Sequence, residues 1–347
     1  MRGWLDMLKI GILGAGFMGD THCICYNALR DCDIEITAIA DPDTGKAARL
    51  AESFGARVYR TSDELIENEN VDIIDICLPT FLHKEYILKS IGKGRHILCE
   101  KPIALNMAEA EEILRAAEGY GKNIMTAHCI RFWPEYMLFS DYVRNGDLGR
   151  FLSAAFFRIS PRRKPGTAWE DWIVDSARSG GAVIDLQVHD ADFLRSVFGE
   201  PDMFQSALYY NHGHPEHIYT HYKFGSAIVS TEAGWDYPSG IFPFSMSYRA
   251  VFEKGTLVYD SAAPEKKVKI YMENGEVVTP CVQYPEIAPV GTSGNMPAVY
   301  GYYNEIQYFL DCVRNNRPTD KCSLAESAKS LELVYGVAEN SVKAGRP

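Results

Sequence analysis

The sequence predicts an α/β protein: an N-terminal Rossmann dinucleotide-binding domain, then an α+β domain with a large open, mostly antiparallel sheet. Two observations predict it. Over the first ~125 residues short apolar runs alternate with helical patterns of about 10–15 residues, as in βαβ units around a parallel sheet. Beyond about Arg131 strand-like runs follow one another without intervening helices, as in an antiparallel sheet.

The strands expected in the first part are Leu8 to Leu13, Ile34 to Ala40, Val71 to Leu78, His96 to Cys99 and Asn123 to Ala127. Between them helices are expected at Gly19 to Arg30, Thr44 to Phe54, Ser62 to Glu67, His83 to Gly92 and Met107 to Gly119. In the second part Pro134 to Asn145 reads as a helix, Phe151 to Ile159 as a strand and Gly181 to Phe198 as one long helix. Six strand-like runs follow: Met203 to Tyr210, Ile218 to Phe224, Ala227 to Ala233, Phe244 to Phe252, Thr256 to Tyr259 and Val268 to Met272. Helices at Tyr300 to Asn315 and Ser323 to Ala344 end the chain. The domains expected are therefore residues 1–127 for the dinucleotide and 128–347 for substrate binding and oligomerisation.

Composition narrows the function. The 347 residues carry 35 Lys and Arg against 46 Asp and Glu, a net charge of −11. Phosphate backbones and anionic membrane surfaces are held by clustered cations, so neither nucleic acid nor membrane is an expected partner. Met1 to Asp6 does not read as a signal peptide, and no uncharged apolar run approaches the ~20 residues that span a bilayer. The uncharged stretch Ile287 to Tyr303 contains Pro289 and Pro297 and reads as loop. Nine scattered cysteines without a CxxC pair suit neither a disulfide framework nor zinc, and reduced thiols in a cytoplasm account for them.

Gly14, Gly16 and Gly19 form GxGxxG (GAGFMG) directly after the first strand and before a helix. That spacing serves a tight turn, close approach of a pyrophosphate and close packing of helix on strand. The helix start then offers N–H donors to phosphate. Gly14, Gly16, Phe17, Met18 and Gly19 are accordingly expected to bind the cofactor. Asp41 closes the second strand 22 residues beyond Gly19, where a carboxylate accepts the adenosine ribose hydroxyls and repels a 2′-phosphate. NAD is therefore the cofactor expected.

With the glycine loop and Asp41, three more motifs make the chain resemble the glucose–fructose oxidoreductase / inositol dehydrogenase (Gfo/Idh/MocA) family: LPTFLH at Leu78 to His83, EKP at Glu100 to Pro102, and DLQVHD at Asp185 to Asp190. The resemblance runs over nearly the whole chain. It implies an NAD(P)-dependent enzyme acting on sugars, cyclitols or related hydroxyl compounds. It also implies a homodimer or homotetramer built on the sheet face. Leu78, Pro79 and Thr80 are then expected beside the nicotinamide ribose, together with His83 and with Glu100 and Pro102, and the Lys101–Pro102 bond is expected to be cis.

Lys101 follows a parallel strand, where ligands of doubly wound sheets bind, and it can stabilise a developing alkoxide. Asp185 and His189 stand four residues apart on an expected helix and so share a face. By resemblance His189 is the general acid/base, while Asp185 binds substrate and tunes both His189 and Lys101. His128 stands where the family often carries Asn, a departure, and is expected at the nicotinamide amide. Arg131 and Trp172 are candidate substrate contacts, Trp172 in a segment with Trp169, Arg162 and Arg163 that is expected to cap the site. No metal is expected. Asp190 and Asp192 do not share a helical face, and the spacings of His212, His214, His217 and His221 fit no zinc pattern.

The reading is an NAD-dependent dehydrogenase moving hydride between nicotinamide and a carbinol carbon of a sugar, cyclitol or polyol. Two rivals stand beside it. One is a hydride-recycling enzyme of epimerase, lyase or glycosidase type. The other is a dinucleotide-dependent regulator without chemistry, which needs none of Lys101, Asp185 and His189.

Overall fold

The computed structural model describes residues 7–162, 166, 168–211, 213–287 and 299–345, which form two compact units. In the first unit β1 (Leu8–Leu13), β2 (Ile34–Ala40), β3 (Arg57–Tyr59), β4 (Ile73–Ile76), β5 (His96–Glu100) and β6 (Ile124–Ala127) form one parallel sheet of order β3-β2-β1-β4-β5-β6. That is the Rossmann order. The connecting helices are α1 (Phe17–Ala28), α2 (Thr44–Glu52), α3 (Ser62–Asn68), α4 (His83–Gly92) and α5 (Met107–Ala117). The central strands are largely apolar and buried, β4 (Ile73–Ile76) at every position with Asp75 included, because helices cover a parallel sheet on both faces. Helix starts are set locally: Thr61 and Glu64 make a capping box, and Asp43 and Asn106 accept first-turn N–H groups.

In the second unit α6 (Pro134–Asn145) precedes β7 (Phe151–Pro161), a one-turn α7 (Ser176–Ser179) and α8 (Val188–Phe198). Then come β8 (Met203–Asn211), β9 (His214–Phe224), β10 (Ala227–Tyr237), β11 (Ser245–Phe252), β12 (Gly255–Asp260), β13 (Lys269–Met272) and β14 (Val277–Val278). The chain closes with α9 (Tyr300–Arg314), α10 (Leu324–Glu339) and β15 (Val342–Gly345). Nine strands make one sheet of order β14-β13-β12-β11-β7-β10-β9-β8-β15. It is mixed: β10 runs parallel to β7 and β15 parallel to β8, the other pairs antiparallel. One face carries an aromatic core in which the Tyr136 and Phe193 rings meet edge to face at 5.1 Å. That is a favoured aromatic geometry.

Three expectations are corrected. Residues 285–287 and 299–328 belong to the first unit, not the second, because α9 packs on α1 and the turn after it is tied to β6. Asn123 donates to the Arg317 carbonyl (2.9 Å), and Thr319 donates to that of Ile124 (3.2 Å). The final helix stops at Glu339, and Val342–Gly345 leave it to form β15 on β8. The expected helix Gly181 to Phe198 is not uniform: a wide π turn at Val183–Gln187 precedes α8. The edge strand β3 carried no sequence signal, since its three residues are exposed or half-exposed. Most of the expected loop Ile287 to Tyr303, the segment Met1 to Asp6, Arg163 and His212 lie outside the described residues.

Candidate active site

The cofactor residues expected in the first unit lie on the segments that leave the carboxyl ends of the parallel strands, with Phe17, Met18 and Gly19 in the first turn of α1 and His83 at the start of α4. Gly14 follows β1, Asp41 follows β2, Leu78 follows β4, Lys101 follows β5 and His128 follows β6. Short hydrogen bonds join the first two of these loops. The Ala15 N–H donates to Asp41 Oδ2 at 2.7 Å, and the Asp43 N–H donates to Asp41 Oδ1 at 2.8 Å. Asp41 thus fixes the glycine loop to the end of β2.

The glycine positions test whether a dinucleotide fits. At Gly19 a Cβ would stand 2.0 Å from the Gly14 carbonyl oxygen, and at Gly14 (φ +98°) 2.5 Å from that of Cys77. Both serve close packing of turn, helix and strand. At Gly16 a Cβ would meet nothing within 4 Å. This position has open space beside it, and among the described residues no side chain caps the first turn of α1. Bare N–H groups and open space at a helix start are what a pyrophosphate needs, so the residues present fit NAD. Asp20 lies in that first turn and is paired with Arg49 at 3.2 Å.

His83 is buried, with Nδ1 2.7 Å from the Pro102 carbonyl and Nε2 2.8 Å from that of Leu78. It therefore ties the Leu78–Pro79–Thr80 loop to the Glu100–Lys101–Pro102 turn. Burial lowers its pKa, and a neutral imidazole donates to one of the two carbonyls. The Lys101–Pro102 peptide is cis. Glu100 is buried, and its Oε2 accepts the Lys101 N–H at 3.1 Å. His128 is also buried.

In the second unit, Asp185 and His189 are the two residues of 181–195 that are not buried. Asp185 lies in the π turn and His189 in the first turn of α8. Both are half-buried, while every other residue of 181–195 is buried. π turns recur at functional sites because they re-aim side chains. Two left-handed glycines lead into it, Gly180 (φ +76°) and Gly181 (φ +71°); a Cβ on Gly181 would stand 2.5 Å from Pro215 Cγ.

Three buried anchors hold that segment, and pattern reading assigned them no such role. Asp190 accepts two hydrogen bonds from Arg158, at 3.0 and 2.8 Å. Asp192 accepts two from Arg131, at 2.7 and 2.6 Å, and one from Ser330 at 2.7 Å. Gln187 donates to Tyr222 (2.9 Å) and Thr231 (2.8 Å) of the sheet. The guanidinium of Arg131, a candidate substrate contact, is thus engaged with Asp192. Trp172 is half-buried in a 3-10 turn, Trp169–Val174. Arg162 pairs with Glu216 at 3.2 Å and lines a cavity of about 270 Å³ with Ile173, Ser176, His214 and Trp235.

The described histidines of the β8–β9 segment go to separate partners. His214 meets Ser176 (3.2 Å), His221 meets Ser230 (2.7 Å), and His217 lies between Asp236 (2.7 Å) and Glu232 (3.2 Å).

Residues 8–128 match the model of an oxidoreductase family with an NAD-binding Rossmann fold, and residues 136–258 match the GFO/IDH/MocA C-terminal domain. The chain belongs to this family, and NAD is the cofactor of its Rossmann domain. It is 32% identical over 204 residues to the rhizopine catabolism protein MocA of Rhizobium meliloti, covering 58% of this chain and 61% of the relative. It is 29% identical over 194 residues to myo-inositol 2-dehydrogenase of Thermotoga maritima, covering 56% and 55%. The matches thus span little more than half the length of these relatives. The fold is shared with levoglucosan dehydrogenase in complex with NADH and levoglucosan: TM-score 0.81 at 20% identity, covering 96% of each chain.

Proposed function

We propose that the protein is an NAD-dependent dehydrogenase acting on a CH–OH group of a sugar, cyclitol or polyol. The observation that carries this reading is the half-buried pair Asp185 and His189 on an otherwise buried segment. A dinucleotide regulator has no need of it. The named activities of relatives, such as inositol 2-dehydrogenase and levoglucosan dehydrogenase, support the substrate class.

In this reading His189 takes the proton of the substrate hydroxyl, and Asp185 orients the imidazole and raises its basicity. Lys101 donates a hydrogen bond to the oxygen as negative charge develops on it. NAD, when bound, accepts the hydride that leaves the same carbon. Leu78, Pro79, Thr80 and His128 position the nicotinamide end, and the glycine loop and Asp41 the adenosine end.

Cytoplasmic residence is supported by nine free cysteines. Among the described residues no helix is long and apolar enough to cross a membrane. Assembly as a homodimer or homotetramer is supported by Tyr209, Tyr219, Ile228 and Val251, which are exposed on the large sheet. Ile228 and Val251 flank Ser153 from neighbouring strands.

The test is nicotinamide absorbance with NAD, then NADP, against a panel of cyclitols, aldoses and sugar acids. The expected result is NADH formation with at least one carbinol and NAD. In Lys101→Ala, turnover should fall by about a hundredfold or more while NAD affinity holds. Wild-type turnover in that variant would remove Lys101 from the mechanism.

A further inference from the structure

Beneath the EKP turn lies a cluster of ionisable side chains that the proposed chemistry does not use. His22 of α1 is fully buried. Its Nδ1 lies 2.8 Å from Asp75 Oδ2 on β4, and its Nε2 lies 3.1 Å from Glu100 Oε1 at the end of β5. Tyr26, one turn further along α1, donates its hydroxyl to the same Asp75 oxygen at 3.0 Å. The Cys77 thiol lies 3.4 Å from His22 Nδ1. Glu305 of α9 reaches the cluster from the other side, with His22, Glu100 and Glu305 atoms all within 4.8 Å of one another. Both Glu305 oxygens are buried and make no hydrogen bond among the described residues.

Three carboxylates and an imidazole out of water are costly, and an apolar core would serve stability at least as well. The connectivity supplies a different reason. One oxygen of Glu100 is held by His22; the other accepts the backbone N–H of Lys101. The chain Asp75–His22–Glu100–Lys101 therefore fixes the backbone from which the Lys101 side chain departs. Both imidazole nitrogens face carboxylates, so a doubly protonated ring satisfies both sides. Burial works against that charge, but Asp75 and Cys77 together outweigh it and hold the His22 pKa well above its ordinary value. Burial, with the neighbouring Glu100 charge, pushes the Glu305 carboxyl well up, so it stays neutral beside the pair.

We propose that His22 is a positioning residue for Lys101: anchored by Asp75, it clamps the Glu100 carboxylate that holds the Lys101 backbone. The inference rests on the reading that Lys101 acts on the substrate, and it deepens that reading by naming what sets the lysine in place. It also accounts for Glu100 of the EKP motif, whose carboxylate is wholly occupied inside the protein.

The test uses His22→Asn, too short to bridge Asp75 and Glu100, and His22→Gln, which keeps a donor within reach of Glu100. Full-length protein with NAD bound is measured throughout. In His22→Asn the Lys101 amide should exchange with solvent about tenfold faster, while the Leu98 amide inside β5 is unchanged. Turnover should fall about tenfold with NAD affinity retained, and His22→Gln should recover most of both losses. In a Lys101→Ala background, His22→Asn should cost no further turnover. Unchanged Lys101 exchange, or an equal loss in that background, would overturn the proposal. So would one tightly bound divalent metal per chain, lost in His22→Asn, because the cluster would then be a metal site. Should Lys101→Ala alone retain full turnover, the catalytic reading fails, whereas the exchange measurement still reports the His22–Glu100–Lys101 chain. If His22→Asn does not fold, exchange in His22→Gln decides: unchanged Lys101 protection supports a retained clamp, and lost protection with the donor present overturns it.

Discussion

Arg158 of β7 and Asp190 of α8 form a bidentate pair with almost no exposure, 2% and 0% at the side chains. The residue before Asp190 is His189. The pair therefore pins the start of α8, and with it the backbone of His189, to the sheet. Removing one partner leaves a buried, uncompensated charge, which costs about 3–5 kcal/mol. Arg158→Met should lower unfolding stability by that amount in denaturant titrations. The double change Arg158→Met with Asp190→Leu should recover much of it, because it removes both charges. A double variant as unstable as the single one would show that packing around the pair, not its charge, governs this contact.

The glycine loop separates folding from cofactor binding at two positions three residues apart. Gly19→Ala would push a methyl to 2.0 Å from the Gly14 carbonyl oxygen, so the helix and turn must move apart. It should destabilise the protein by several kcal/mol, within the range of overpacked and strained sites, about 1–3 or more. Gly16→Ala meets no neighbour and should leave the melting temperature nearly unchanged. Its methyl projects into the space a pyrophosphate needs, so NAD affinity should fall at least about tenfold. Melting curves and NAD titrations of the two variants check this. Full NAD affinity in Gly16→Ala would move the pyrophosphate elsewhere.

Much of this was legible in the chain itself because the signals are local. Apolar runs between amphipathic segments marked five of the six Rossmann strands, and Pro134 and Gly146 bounded α6. The strand β3 was not legible, because a short exposed edge has no alternation to read. The end of α10 and the return of α9 to the first unit depend on pairing and packing partners far away in sequence. The same limit hid the roles of Asp190, Asp192 and His22. Each was visible as a residue type, but only the fold brings Arg158, Arg131 and Glu100 to them. The i,i+4 spacing of Asp185 and His189 was legible as well, but not the π turn at Val183–Gln187, which rests on backbone hydrogen bonds that no side-chain pattern announces.

His217 on β9 gives the pH dependence a defined sign. Its ring lies between Asp236 and Glu232 and stacks on Tyr219 at 4.7 Å, with Tyr237 donating to the same Glu232 oxygen at 2.9 Å. Burial opposes the charged ring, but hydrogen bonds to the two carboxylates outweigh it and raise its pKa from 6.5 to about 9. Because the folded value is the higher one, the protonated ring stabilises the folded state fully below the unfolded value, near 6.5. That stabilisation is lost as pH rises through about 9. Asp236 and Glu232 are shifted down, so their share is present above the ordinary carboxylate range and is lost as pH falls below it. The melting temperature of the wild-type protein should therefore decline between near-neutral pH and pH about 9. In His217→Gln, which keeps a hydrogen-bond donor but not the titrating charge, that segment of the curve should flatten. Melting curves at a series of pH values for the two proteins make the comparison. A wild-type decline that persists unchanged in His217→Gln would assign the titration to another group.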